Sequence, residues 1–478
     1  MERLSTGVDG LDEILHGGLI PQRSYLIRGG PGRGKTTLGL HFLTAVDDGE
    51  SALFIGFQEP EAQLHSNAAS LGIDVSAINF LSLAPDAQFF TEQQSYDVFA
   101  AADVEQQPLV EAIIQAVEHH RPTRVFVDSL SQLRFLATDI FQYRKQVLSF
   151  LRYLTQQGTT VLFSSESSHE LPDDDLQFIA DGVINLEAGV AGPVIRISKM
   201  RGSSFRFGMH HMRVADGGLK VFPRMIPASS RQAGFQLQRW GTGVKKIDEL
   251  LHGGLVANTV SLITGPSGTG KSTLAALFVA EAARQGHRAS VFLFEEEIAF
   301  FLRRAKDLHL PLEEPFADGR ILIEQIEPMR YLVDEFIMRV REQIEEAGVK
   351  MVVLDSVTGF EVALGGESIR ERLHAFAKGL SRMGITILLI NEIEATTGAF
   401  RVSEKSISYL SDNVIFLRYM EVDGMLKKAI GVLKKRLSSF DNRLHTFEIG
   451  SPGVFKIGEP IHGLRGVLGG TPMPQEES

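Results

Sequence analysis

The chain has no cysteine and one tryptophan among its 478 residues, aromatic residues make up 8% of it, and no apolar run approaches the ~18–20 residues a membrane-spanning helix needs. The missing cysteines exclude disulfides, cysteine-ligated zinc, iron–sulfur clusters and thiol nucleophiles. Positive charge is scarce too. Lys and Arg number 48 against 59 Asp and Glu, a net charge of −11, so no overall field draws the chain to nucleic acid. The stretch from Asp86 to Pro108 holds Asp86, Glu92, Asp97, Asp103 and Glu105 without one Lys or Arg, the reverse of what a phosphate-backbone contact requires. Residues Met1–Gly7 carry no apolar core of a secretory signal. These absences predict a cytoplasmic protein with no membrane segment and argue against a nucleic-acid partner.

What is present is globular: 44% of residues are hydrophobic and 22% charged. At roughly 150 residues per domain the length alone predicts about three domains. An internal repeat replaces that estimate with two. Thr6–Phe42 reads TGVDGLDEILHGGLIPQRSYLIRGGPGRGKTTLGLHF, and Thr242–Phe278 reads TGVKKIDELLHGGLVANTVSLITGPSGTGKSTLAALF. The two align without a gap and about half their positions are identical. The expected division is a first domain over 1–228, a linker over 229–239, a second domain over 240–458 and a Gly/Pro-rich tail over 459–478.

Each copy alternates short apolar runs with longer helical patterns. Strands are predicted at Ser24–Arg28, Ala52–Phe57, Arg124–Val127, Thr160–Ser164, Gly182–Leu186 and Val194–Ser198. In the second copy they fall at Val260–Thr264, Ala289–Phe294, Lys350–Leu354, Thr386–Ile390, Asn413–Arg418 and Lys428–Leu433. Runs such as Met351–Leu354 and Ile385–Ile390 do not alternate, as expected of strands buried on both faces. The fold class is therefore α/β, with a mainly parallel sheet flanked by helices, twice over.

Gly29–Thr36 and Gly265–Ser272 both fit G-x-x-x-x-G-K-[ST] between a predicted strand and a predicted helix. Such a loop turns backbone N–H groups onto a phosphate and adds the positive end of a helix. The expected nucleotide-binding residues are Gly30, Gly32, Gly34, Lys35, Thr36 and Thr37, and then Ser267, Gly268, Thr269, Gly270, Lys271, Ser272 and Thr273. Thr36 and Ser272 are the expected Mg²⁺ ligands, joined by Asp128 and Asp355, which end the apolar strands VFVD and VVLD. Hydrolysis also needs a carboxylate that orients or deprotonates water. The strand after each loop helix ends in candidates, Gln58-Glu59 in one copy and Glu295-Glu296 in the other. Late in each copy stand Lys199-Met200-Arg201 and Lys434-Lys435-Arg436, either a solvated charge run or cations for a phosphate on a neighbouring subunit. His16 and His252 recur in Leu-His-Gly-Gly-Leu, where a turn or packing role is expected because no metal-ligand partner sits at useful spacing.

With these residues in view, the chain resembles the KaiC-like branch of the RecA-type ATPases over nearly its whole length. The resemblance rests on the doubled domain, TG-V-x-x-x-D-E-x-L-H-G-G-L before each loop, the FQEP and FEEE strand ends, the VDS and LDS strands and the K-x-R pairs. It implies two tandem RecA-like P-loop NTPase domains that bind ATP and Mg²⁺ between the subunits of a double-ring homohexamer. It also implies that Glu59, Glu295 and Glu296 supply the catalytic base, that Lys199, Arg201, Lys434 and Arg436 act in trans, and that the candidate partner is a KaiB-like or other signalling protein. In the family the second ring phosphorylates itself. The matching acceptors here are Ser408 and Tyr409, with Ser403 nearby. Three departures stand out: Gln58 in place of glutamate, Tyr409 in place of threonine, and Leu437 in place of glycine. The short tail from Glu459 counts against docking of a KaiA-like activator. Two other readings are a RecA-like DNA-dependent ATPase and a nucleotide-gated signalling scaffold with little turnover.

Overall fold

The computed structural model describes residues 2–47, 49–83, 101–137, 139–166, 173–226, 238–365, 369–393, 409–422, 424–450, 455–465 and 473–474. Ser403 and Ser408 lie outside these residues, as do 86–100 of the acidic stretch and 229–237 of the expected linker. The chain divides into two compact units, Met1–Arg224 and Met225–Ser478.

In unit 1 the strands are β1 (Ser24–Gly29), β2 (Ala52–Gly56), β3 (Ile78–Ser82), β4 (Arg124–Asp128), β5 (Thr160–Ser165), β6 (Gly182–Gly189), β7 (Gly192–Met200), β8 (His210–Ala215) and β9 (Gly218–Phe222). They form one sheet in the order β3-β2-β4-β5-β1-β6-β7-β8-β9. The first six are parallel, and β7, β8 and β9 are added antiparallel at one end.

Unit 2 repeats the arrangement with β10 (Val260–Gly265), β11 (Arg288–Leu293), β12 (Ile321–Gln325), β13 (Val349–Asp355), β14 (Thr386–Glu392), β15 (Asn413–Val422), β16 (Met425–Lys435), β17 (His445–Ile449) and β18 (Phe455–Pro460). Its order, β12-β11-β13-β14-β10-β15-β16-β17-β18, matches that of unit 1 strand for strand. The α/β architecture with a mainly parallel sheet is thus present twice. The sequence reading misses β3, β8, β9, β12, β17 and β18. Of these, β3 is half-exposed at the sheet edge and β8 opens on His210-His211, so neither shows the unbroken apolar run of a buried strand.

Helices cover both faces of each sheet, and successive strand residues enter different cores. Tyr25 and Ile27 pack into one core of unit 1 and Leu26 into the other. The helix after each phosphate loop, Lys35–Thr44 or Lys271–Arg284, is buried along most of its length. It sits close to its sheet because small residues face large ones. A Cβ on Gly39 would lie 2.1 Å from the Phe126 ring. In unit 2 the corresponding pair is Ala275 and Val353, both buried. The volume is moved across the contact, not lost. The repeated TG-V-x-x-x-D-E segment is structural as well. Thr6 gives its N–H and hydroxyl to one oxygen of Asp12 at 2.8 and 2.7 Å, and Thr242 does the same to Asp248 at 2.7 and 2.9 Å. No helix among the described residues is long and apolar enough to cross a membrane.

Candidate nucleotide sites

Each phosphate loop leaves the carboxyl end of the strand whose neighbours on either side, β5 and β6 or β14 and β15, connect in opposite directions; open α/β sheets bind ligands at such a crevice. In unit 1, Gly32 and Gly34 have φ of 67° and 89°, the left-handed region that bends the loop back into the helix starting at Lys35. A Cβ at Gly30 or Gly32 would meet nothing within 4 Å, so the cradle is open where an anion would sit. The Lys35 ammonium donates to the carbonyls of Gly29 and Gly30 at 2.8 and 3.0 Å. Burial lowers the Lys35 pKa, and the nearby Glu166 and Asp128 carboxylates oppose that fall. The Thr36 hydroxyl donates to Asp128 Oδ2 at 2.6 Å, and the Ser164 hydroxyl donates to Oδ1. Lys35, Thr36, Gln58, Glu59, Asp128 and Glu166 share the lining of one cavity of about 360 Å³. Thr37 borders the same cavity.

Unit 2 builds the same loop with a different electrostatic setting. Gly268 and Gly270 take φ of 74° and 103°. Lys271, almost fully buried, donates to Pro266 O at 2.8 Å and lies 3.7 Å from Glu392 Oε2. Thr269 closes the turn by donating to Pro266 O at 2.8 Å. Ser272 and Thr273 open the loop helix, while Ser267 lies in the turn before Gly268. Asp355 is pushed up to about 6, first by burial, against a hydrogen bond from Ser272 and the charges of Arg304 and Lys271. The residue beside Asp355 on the next strand is Ile390, where unit 1 has Ser164. Beside that isoleucine, burial outweighs the Ser272 hydrogen bond at Asp355. The peptide after each aspartate, Asp128–Ser129 and Asp355–Ser356, is cis.

The two acidic strand ends also differ. Gln58 is exposed and Glu59 accepts from the Asn67 amide at 3.4 Å. Glu295 accepts from the Ser356 hydroxyl at 2.9 Å, while Glu296 is ion-paired with Arg304 at 2.9 Å.

The Lys-x-Arg pairs sit elsewhere in each unit. Lys199 pairs with Val183, which is level with Leu26 of β1; Lys434 pairs with Val414, level with Leu262 of β10. At about 3.3 Å per residue and 4.8 Å per strand, that is ~10 Å back from the start of the loop and ~10 Å across the sheet. The Lys199 ammonium caps the helix Asp174–Ile179 by donating to Gln177 O and Ala180 O at 2.7 and 2.6 Å. Arg201 lies 3.6 Å from Asp181. In unit 2, Lys434 donates to Ser411 O at 2.6 Å and Arg436 donates to Asp412 Oδ1 at 3.4 Å. Arg201 and Arg436 keep half their side-chain surface exposed. Tyr409 stacks on His374 with ring centroids 5.7 Å apart and is itself 57% exposed, so its ring is held while much of it faces solvent. His16 and His252 occupy turns with φ of 57° and 45° and meet the hydroxyls of Ser204 and Ser439 at 3.1 and 2.8 Å.

Sequence reasoning overlooks four residues at these sites. Glu166 and Glu392 follow or end the strand between the aspartate strand and the loop strand, so both reach the loop lysine. Aligning SSE at Ser164–Glu166 with INE at Ile390–Glu392 would have exposed them. Ser164 is legible from the same alignment. Arg304 lies eight residues beyond Glu296 on the helix Ile298–Asp307, a separation that no local motif marks.

Comparison with known proteins agrees with this geometry. The family profile described as "ATPase: KaiC" matches residues 4–226 and again 240–460. The circadian clock oscillator protein KaiC of Acaryochloris marina is 26% identical over 487 residues, covering 98% of this chain and 91% of that protein. The protein of the same name from Synechococcus elongatus is 26% identical over 492 residues, covering 98% and 92%. That from Prochlorococcus marinus is 26% identical over 494 residues, covering 99% and 96%. Two phosphate loops on two sheets of the same order, each inside a match to one profile, place this chain in the KaiC family of ATPases, as a tandem-domain member.

Proposed function

We propose that the chain binds ATP with Mg²⁺ at both phosphate loops and hydrolyses it in a homohexameric double ring, each site lying between adjacent copies. The loop backbone, with Lys35 or Lys271, holds the phosphates. Thr36 with Asp128, and Ser272 with Asp355, offer the hard oxygen donors that suit Mg²⁺. Among the described residues no three His, Asp or Glu side chains form a metal cage, and a cation shared with phosphates needs only one or two protein oxygens. Bound there, Mg²⁺ would neutralise charge on the phosphates. Glu59 in unit 1, and Glu295 with Glu296 in unit 2, take the part of the base that orients water.

The observation that carries the interface reading is the place of the Lys-x-Arg pairs. They are two strands from their own loop and behind it, so a γ-phosphate they touch belongs to another copy. Lys199 and Lys434 have lowered pKa values, chiefly from burial and then from the neighbouring arginine. Sedimentation with and without ATP tests assembly. Mixing chains altered at Arg201 and Arg436 with chains altered at Lys35 and Lys271 tests trans action: activity recovered on mixing supports it, and its absence in intact mixed rings overturns it.

Self-phosphorylation in unit 2 is a finer part of the proposal, with Ser408, Tyr409 and Ser403 as acceptors. Tyr409 stands two residues before Ser411, whose carbonyl holds Lys434. Incubation with γ-labelled ATP decides it: label on a peptide containing Ser408 and Tyr409 supports phosphotransfer, and release without retained label leaves hydrolysis alone. Gln58 favours a second reading for unit 1, a nucleotide-gated scaffold with little turnover, because an amide positions water but does not take its proton.

A further inference from the structure

Residue 67 and residue 304 hold the same place in the two units, eight residues after the inner glutamate of the strand end and on the helix that follows. In unit 1 that residue is Asn67, whose amide reaches Glu59 at 3.4 Å. In unit 2 it is Arg304, whose guanidinium holds Glu296 at 2.9 Å while lying over the Phe301 ring at 5.5 Å. The outer glutamate of unit 2 is engaged as well, by the Ser356 hydroxyl.

We infer that Arg304 is a positioning residue that masks the base of unit 2 and slows its hydrolysis of ATP. This rests on the reading of Glu296 as part of the base. In hydrolysis the water oxygen bonds to the γ-phosphorus as the bond to the β-phosphate oxygen of ADP breaks, and the proton of that water goes to a carboxylate. A carboxylate whose lone pairs are turned to a guanidinium is a poorer recipient of that proton. Asn67 makes a weaker demand, since its amide carries no positive charge and sits at 3.4 Å, against 2.9 Å for the guanidinium. Slow attack by water leaves the γ-phosphate in place for any slower event that uses it. Arg304 keeps 38% of its side-chain surface exposed, so the pair is half in water and its hold is modest.

The test is steady-state ATP hydrolysis by the full chain. Unit 2 is read in chains carrying Glu59→Gln, which quiets unit 1 without altering its loop. Arg304→Asn, the residue unit 1 already uses, raises kcat about fivefold with KM for ATP unchanged. Arg304→Lys, which keeps a cation beside Glu296, stays near the parent rate. The reciprocal Asn67→Arg, read in chains carrying Glu295→Gln and Glu296→Gln, lowers unit 1 turnover. An unchanged or lower kcat in Arg304→Asn overturns the inference, and so does a raised KM, which would make Arg304 a nucleotide contact. A gain that persists in Glu296→Gln/Arg304→Asn also overturns it, because the effect would not pass through Glu296. The two levels separate cleanly. If Glu296→Gln alone leaves the rate intact, the base assignment fails. If it lowers the rate while Arg304→Asn fails to raise it, the base stands and the mask falls.

Discussion

Unit 1 and unit 2 share a nine-stranded order and a loop geometry, yet their polar residues at strand ends have exchanged identities. Ser164 faces Asp128 where Ile390 faces Asp355; Gln58 stands for Glu295, Asn67 for Arg304 and Met200 for Lys435. Some core positions changed in compensating pairs, such as Gly39 with Phe126 against Ala275 with Val353. The difference teaches where a duplicated fold is free to vary. A buried volume must be kept, because a cavity or an overlap costs a few kcal/mol. A side chain at the rim of a cleft is bound by chemistry alone, so the two sites can specialise while the sheet stays the same.

The most severe way to break the comparison is to remove the loop lysines. Lys35→Ala and Lys271→Ala should each abolish one of two nucleotides bound per chain, with affinity at the altered site falling on the order of a hundredfold. Titration calorimetry with an ATP analogue reads both number and affinity, and a site unmoved by its own lysine is not the phosphate site. Next in size are the carboxylates. Glu295→Gln with Glu296→Gln should lower unit 2 turnover on the order of a hundredfold or more, followed by phosphate release. Glu59→Gln should do the same in unit 1; a parent unit 1 rate that is already negligible would mean that Gln58 had left it a binding site.

A smaller effect concerns stability. Lys435 is buried, donates to Leu251 O, and is pushed down to about 8 by burial and by Arg239, against an ordinary 10.5. Between those values the unfolded chain binds more protons, so the parent gains stability as pH rises from 8 to 10.5 and carries the full penalty below 8. Lys435→Met, which installs the residue of unit 1, should stabilise unit 2 by about 1–2 kcal/mol at pH 7, after allowance for the lost hydrogen bond. That advantage should shrink above pH 8 in denaturant titrations; an advantage that grows with pH would contradict the assignment. The smallest expected effect tests what the units have in common. His16→Gly and His252→Gly relieve positive φ and should leave hydrolysis at the parent rate, with stability changed by less than about 1 kcal/mol. A fall in kcat would return these histidines to the chemistry.

Much of this was legible in the sequence wherever a residue acts within its own segment. The loops, the strand-ending aspartates and six strands per unit follow from local pattern, since a phosphate loop is made by consecutive residues. Edge strands such as Ile78–Ser82 are harder to see, because half-exposed positions relax the demand for apolar residues. Glu166 and Glu392 needed the order of strands: they are about 130 and 120 residues from their lysines in sequence and neighbours only because β5 and β14 lie beside the loop strands. Arg304 needed a helix direction that no motif encodes. The acceptors Ser403 and Ser408 fall outside the described residues, and for them the resemblance is the whole of the reading.

If the Lys-x-Arg pairs act in trans, as proposed, their position has a genetic consequence. A chain whose arginines serve a neighbour's nucleotide, while its own nucleotide is served by another, is never the sole owner of its activity. A defective pair would then be silent in its own copy and expressed in the next one around the ring. In mixed populations each altered chain would impair one neighbouring site, so impaired sites would match altered chains in number while lying in different copies.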